Sequence, residues 1–105
     1  MKRRAYMQEI TSKQRSRLKS IAANLQPVTQ IGKGGVTDNL LKTLSDALEA
    51  HELIKVTILA GSGEDPVNLA ENVADLLDAT PVAVIGRKAI FSRRSSRENF
   101  VHLEF

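Results

Sequence analysis

A chain of 105 residues, 42% of them apolar, is the length of one domain and can bury roughly 65% of its unfolded surface around a single core. It has no cysteine, which excludes a disulfide framework, cysteine-ligated zinc and thiol catalysis, and its two isolated histidines, His51 and His102, suggest no metal site. Net charge is only +3 but unevenly spread: residues 1–25 carry seven Lys or Arg against one Glu, residues 36–79 nine Asp or Glu against two Lys, and residues 80–105 five Lys or Arg against two Glu.

The N-terminus "MKRRAYMQEI" is basic but lacks the apolar stretch of a signal peptide, and no apolar run approaches the ~20 residues of a membrane span. The expectation is a soluble, cytoplasmic protein. Residues 1–10 read as a basic extension, residues 11–93 as one compact domain and residues 94–105 as a tail.

Residues 11–25 predict a first helix. Thr11 and Gln14 fit a capping box, Leu18, Ile21, Ala22 and Leu25 make one apolar stripe, and Pro27 ends the run. Lys13, Arg15, Arg17 and Lys19 lie off the stripe. Residues 28–31 predict a short strand. After a glycine loop, Thr37 or Asp38 can cap a second helix running to about Ala50, with Leu40, Leu41, Leu44, Ala47 and Leu48 inward.

Residues 53–59 alternate, with Ile54, Val56 and Ile58 on one side and Lys55 and Thr57 on the other, which predicts a strand with one buried face. Asp65-Pro66 is a strong helix start, and a third helix to about Asp78 should bury Val67, Ala70, Val73, Ala74 and Leu77. Residues 81–85 and 88–92 are two strands split by Gly86-Arg87, a pair suited to a tight hairpin. The order α-β-α-β-α-β-β predicts a layered α/β domain with a four-stranded mixed sheet.

The loop "QIGKGGVT" concentrates the chemistry. Glycines at a strand-to-helix turn can be purely structural, supplying positive φ. A Walker-type phosphate loop needs Lys followed by Ser or Thr after its last glycine, and here Lys33 precedes Gly34 and Gly35. A dinucleotide fingerprint fails because position 37 is Thr. What remains is G-x-x-G, read as Gly32-Lys33-Gly34-Gly35, the kind of loop that clamps a nucleic-acid backbone. Glycines let a phosphate approach the main chain, the helix start offers N–H groups, and Lys33 adds a mobile ammonium.

Other basic segments accompany it: the first helix, Arg87 and Lys88 at the hairpin, and "SRRSSR" over residues 92–97. If they share a side, they form a polyanion footprint. Aromatic residues are few, so phosphate and shape contacts are favoured over base stacking. His51 suits a helix C-terminus. Asp46, Glu49, Glu71, Asp75 and Asp78 read as solvated helix surface, or as a face for a basic protein.

Taken together, "ITSKQRSRLKSIA", "LQPVTQIGKGGVTDNLLKTLSDALEAHELIKVTIL" and "VIGRKAIFSR" closely resemble the YhbY family of bacterial CRM-domain proteins, over about residues 10–93. The resemblance implies a fold like the C-terminal domain of translation initiation factor three and RNA binding through the glycine loop and an adjacent basic surface. Bacterial single-domain members are associated with precursors of the large ribosomal subunit. Carried onto this chain, the loop residues are Gly32, Lys33, Gly34 and Gly35. Charge adds Lys13, Arg15, Arg17 and Lys19 from the first helix and Arg87 and Lys88 from the hairpin.

Two features depart from the family pattern. Residues 22–24 are "AAN" where members often carry histidine, and the tail continues beyond the core. The tail could bind RNA, pack on the domain, or self-associate through Phe100, Val101, Leu103 and Phe105. The expectation is a monomeric, non-enzymatic RNA-binding protein of ribosome biogenesis, without cofactor, metal, catalytic residue or membrane partner. The alternatives are a protein-interaction module using the acidic helices, or a chaperone for another structured RNA.

Overall fold

The structure, a computed structural model, describes residues 10–105; apart from Ile10, the N-terminal extension lies outside the described residues. Thr11 caps the first helix through the capping box. Its hydroxyl accepts the Gln14 N–H at 3.1 Å, and the Gln14 side chain accepts the Thr11 N–H at 2.9 Å. Helix α1 (Ser12–Ala22) ends before Leu25 because Asn24 and Leu25 turn back to the carbonyls of Ile21 and Ala22, three residues away. Leu25 still packs on the core.

Strand β1 (Thr29–Ile31) leads into the glycine loop, and Thr37 caps α2 (Asp38–His51). Strand β2 (Leu53–Ile58) is followed by a short 3-10 turn (Ala60–Ser62), then by α3 (Pro66–Leu77), capped by Asp65 with proline in its first turn. Strands β3 (Thr80–Ile85) and β4 (Lys88–Ser92) close the domain. Gly86, at φ 60°, makes their hairpin tight, as a two-residue turn with glycine first requires.

The strands are ordered β1-β2-β4-β3, with β1 parallel to β2 and β4 antiparallel to both neighbours. The four-stranded mixed sheet is as the sequence predicts. Because β1, β2 and β3 run the same way, the sheet has two distinct ends. The glycine loop, the 60–62 turn and the β3–β4 hairpin gather at one, the loop end. The starts of β2 and β3 and the end of β4 form the other, the tail end.

Helices α2 and α3 cover one face, burying Leu44, Leu48, Val73 and Leu77 over Ile54, Val56 and Phe91. Each such side chain contributes about 1.5–3 kcal/mol by leaving water. Helix α1 lies on the opposite face, where Leu18 and Ala22 meet Leu53, Val82 and Ile90. Here β2 differs from the expectation of one buried face. Leu53 starts the strand on the α1 side and is 3% exposed, so the alternation read from Ile54 onward hides a second covered surface. Helix α3 also corrects the sequence reading: Val67 is 54% exposed and Leu69 takes its place in the core. Leu69, Val73 and Leu77 form one i, i+4 row that meets the sheet, whereas the row through Val67 continues to exposed Glu71.

Candidate nucleic-acid interface

The loop between β1 and α2 is a β-turn. The Gly35 N–H donates to the Gly32 carbonyl at 2.9 Å, which sets Lys33 and Gly34 at the tip. The three glycines have different reasons to be there. A Cβ on Gly32 would stand 3.3 Å from Leu59 Cδ1, so the turn is pressed against the end of β2. Gly35 holds φ 68°, which disfavours any side chain. Gly34 has ordinary φ and open space around its missing Cβ, so the fold itself does not require glycine there.

Lys33 is exposed and, among the described residues, forms no ion pair. The start of α2 is partly served already, because the Thr37 hydroxyl accepts the Leu40 N–H at 3.1 Å and Asp38 adds a negative charge in the first turn. The bare turn and its lysine, rather than the helix end, are therefore the attractive elements for an anion.

Leu59 joins the loop to the hairpin. Its N–H donates to the Ile31 carbonyl at 2.8 Å, and its own carbonyl accepts Arg87 Nη2 at 3.0 Å. Arg87 Nε also donates to the Ile58 carbonyl at 2.6 Å. Arg87 is thus brought to the loop end, but much of its donor capacity ties down the end of β2. Lys88, beside it, is exposed and carries no ion pair among the described residues.

The four cations of α1 separate by spacing. Arg15 and Lys19 lie four residues apart on one flank, Lys13 and Arg17 on the other. Lys13 and Arg17 border a shallow pocket with Thr11, Gln14 and Phe105 of the tail. Arg15 is half-buried and donates through Nη1 to the carbonyls of Pro81 (3.0 Å) and Val82, at the irregularity in β3. All four share a sheet face with Lys88 but stand over the tail end, away from the loop.

No Asp or Glu occurs in residues 10–37, 53–63 or 79–97, the stretches that supply α1, the glycine loop, all four strands and the hairpin. Among the described residues the acidic ones belong to α2, α3, their connections and the tail. The sheet therefore separates a mainly basic side, on which the tail with Glu104 also packs, from an acidic one.

At the tail end the chain satisfies several of its own charges, while Arg94 and Arg97 stay exposed. Arg93, within the basic run at residues 92–97, donates to the carbonyls of Leu77 (2.9 Å) and Ser45 (3.0 Å) and to the Glu49 carboxylate (3.2 Å). Glu49 also accepts the hydroxyl and N–H of Ser96. The Ser96 hydroxyl, helped by its N–H and by Arg93, outweighs burial and holds the Glu49 carboxyl below its ordinary 4.5. Glu52 ends α2 at φ 63° and is 4% exposed. Its carboxylate accepts the N–H groups of Ser95 and Leu103, both at 2.6 Å, and pairs with His102. Burial pushes this carboxyl up, but the Ser95 N–H, the His102 ring and the Leu103 N–H together bring it below 4.5.

Glu49 is therefore not the solvated surface group that its helix position suggests, and the tail packs on the domain through Leu103 and Phe105. Asp46 is paired with Lys42 at 2.9 Å. Sequence reasoning missed Glu52 as the anchor of the tail. The only available signal was a lone acidic residue between helix and strand. It also assigned no role to Lys55, which is half-buried on the α1 side of β2.

Among the described residues no three His, Cys, Asp or Glu side chains gather as a metal site, and no helix is long and apolar enough to cross a membrane. A model of the CRS1 / YhbY (CRM) domain matches residues 10–93. The probable RNA-binding protein YqeI of Bacillus subtilis is 38% identical over 94 residues, covering 90% of this chain and 98% of its own. An RNA-binding protein of Haemophilus influenzae is 32% identical, over 85% of this chain and 90% of its own. The solution structure of SAV1595 from Staphylococcus aureus, a candidate RNA-binding protein, superposes with a TM-score of 0.73 at 38% identity, covering 91% of this chain and all of that one.

Proposed function

The chain belongs to the CRS1/YhbY (CRM) domain family, and from that premise we propose that it binds RNA through the basic side of its sheet, with the Gly32–Gly35 turn as the clamp. The observation that carries the reading is the pairing of Lys33, exposed and without an ion pair among the described residues, with Gly34, whose missing side chain serves no need of the fold. A phosphate approaching that tip meets bare backbone and an ammonium, and no acidic residue from the sheet or α1 opposes it. Lys13, Arg17, Lys19 and Lys88 extend the positive side. Arg15 and Arg87 contribute charge while their bonds hold strand ends in place.

The proposal extends to the target. The RNA is rRNA of the large-subunit precursor, bound without catalysis by a monomer in the cytoplasm, and this part rests on the resemblance to single-domain bacterial members. The alternative through acidic helices is weakened because Glu49 is occupied by the tail and Asp46 by Lys42. Gradient sedimentation of cell lysate at low magnesium, wild type beside Lys33→Glu, tests the target. Wild type should travel with free large subunits or their precursors and the variant should stay at the top. If both stay at the top, the ribosomal target is wrong. Association that survives RNase and Lys33→Glu would instead support the acidic helices.

A further inference from the structure

Helix α1 covers only the tail-end half of its sheet face, through contacts with Leu53, Val82 and Ile90. Among the described residues nothing covers the loop-end half. Strand register sets Gln30, Thr57, Lys88 and Ile85 side by side in one row across all four strands. Lys55, two residues before Thr57, points to the same side and stands one step nearer α1. Gln30, Lys88 and Ile85 are exposed, and Lys55 and Thr57 half-buried. At the spacing of neighbouring strands the row is roughly 14 Å wide.

We propose that this open half-sheet carries the RNA strand onward from the glycine loop, with Lys88 and Lys55 on its phosphates and Gln30 and Thr57 hydrogen-bonding its backbone oxygens. The inference rests on the RNA-binding reading and adds the path. Three observations favour RNA as the occupant. Neither lysine is paired with a carboxylate among the described residues, and none of the four strands contains an acidic residue. The row begins at Gln30, two residues before the glycine turn, so it is continuous with the proposed clamp. It also leads toward the flank of α1 that carries Lys19, the flank turned away from the tail. The row has no aromatic residue, so its contacts are with the backbone and tolerate sequence, while exposed Ile85 gives the strand an apolar edge.

The chain has no cysteine, so a thiol introduced by Gln30→Cys takes a photocrosslinker at one position, with Glu71→Cys on the acidic side as its counterpart. The probe is a fluorescently labelled RNA hairpin with a single-stranded extension. The path predicts crosslinking from position 30 and none from position 71. It also predicts that Lys55→Gln, checked for folding by circular dichroism, weakens binding about fivefold and lowers the salt slope by about 0.7. Lys33→Glu is measured alongside. If it weakens binding while position 30 gives no crosslink and Lys55→Gln binds as wild type, the path is wrong and the clamp stands. If Lys33→Glu also binds as wild type, the clamp and the path both fail.

Discussion

At the tail end of the sheet, Glu52 is buried and accepts two backbone N–H groups and the His102 ring, while Arg93 serves two carbonyls and a carboxylate. At the loop end, Lys33 stands on a bare turn with no ion partner among the described residues, and Lys88 stands exposed nearby. Both regions are conspicuously charged in sequence, but Glu49, Glu52 and Arg93 are bonded within the chain, whereas Lys33 and Lys88 form no ion pair among the described residues. A buried charge that the chain satisfies holds structure together, and removing one partner strands the others. An exposed charge without a partner adds almost nothing to folding and is available to a ligand. The same distinction separates two sets of basic residues. Arg15, Arg87 and Arg93 use their forked donors on backbone carbonyls, whereas lysines Lys33, Lys55 and Lys88 do not.

Substitutions should therefore divide into those that cost stability and those that cost binding. The largest expected effect is Glu52→Ala. Losing the acceptor frees the tail from the α1 layer and should cost about 2–3 kcal/mol, or roughly 10–15 °C in melting temperature, read in a thermal melt. RNA affinity of the folded variant should be unchanged. The same latch has a pH signature. Glu49 and Glu52 titrate below their ordinary 4.5 in the folded protein, so the unfolded chain binds more protons in acid. Their stabilisation is complete above about pH 4.5 and is lost as pH falls through the lower folded values. Urea melts across that range should show a shallower acid loss in Glu52→Gln than in wild type.

A smaller loss is expected from Gly35→Ala, which forces a side chain into φ 68° and should cost about 1–2 kcal/mol. Gly34→Ala should change stability by no more than about 0.5 kcal/mol, since its Cβ meets nothing. Yet it should weaken RNA binding by filling the space a phosphate needs. If Gly34→Ala binds RNA as wild type does, close approach at the tip is not part of recognition.

The fold was largely legible because its signals are local. The Thr11–Gln14 capping box, the Asp65-Pro66 start and the Gly86-Arg87 hairpin each fix an element boundary through neighbours in sequence. The glycine loop was legible for the same reason. What escaped depends on residues far apart in the chain. Arg15 meets carbonyls 66 and 67 residues away, Glu52 meets tail residues 43 to 51 away, and Leu53 owes its burial to α1. Charge alone could nominate Arg15 and Arg87 as contacts, but only the packing shows how much of each is already committed. The misplacement of Val67 came from its closeness to the buried stripe, where one helical step decides between core and solvent.

The central claim is that the uncommitted cations, not the net charge, bind RNA, and salt titration of Lys33→Glu beside wild type tests it most directly. If about five phosphates are neutralised, log affinity of wild type falls with log salt at a slope near −3.5 to −4.5. Lys33→Glu should bind about tenfold more weakly with a slope shallower by about one, at an unchanged melting temperature. Equal affinities and equal slopes would contradict the account.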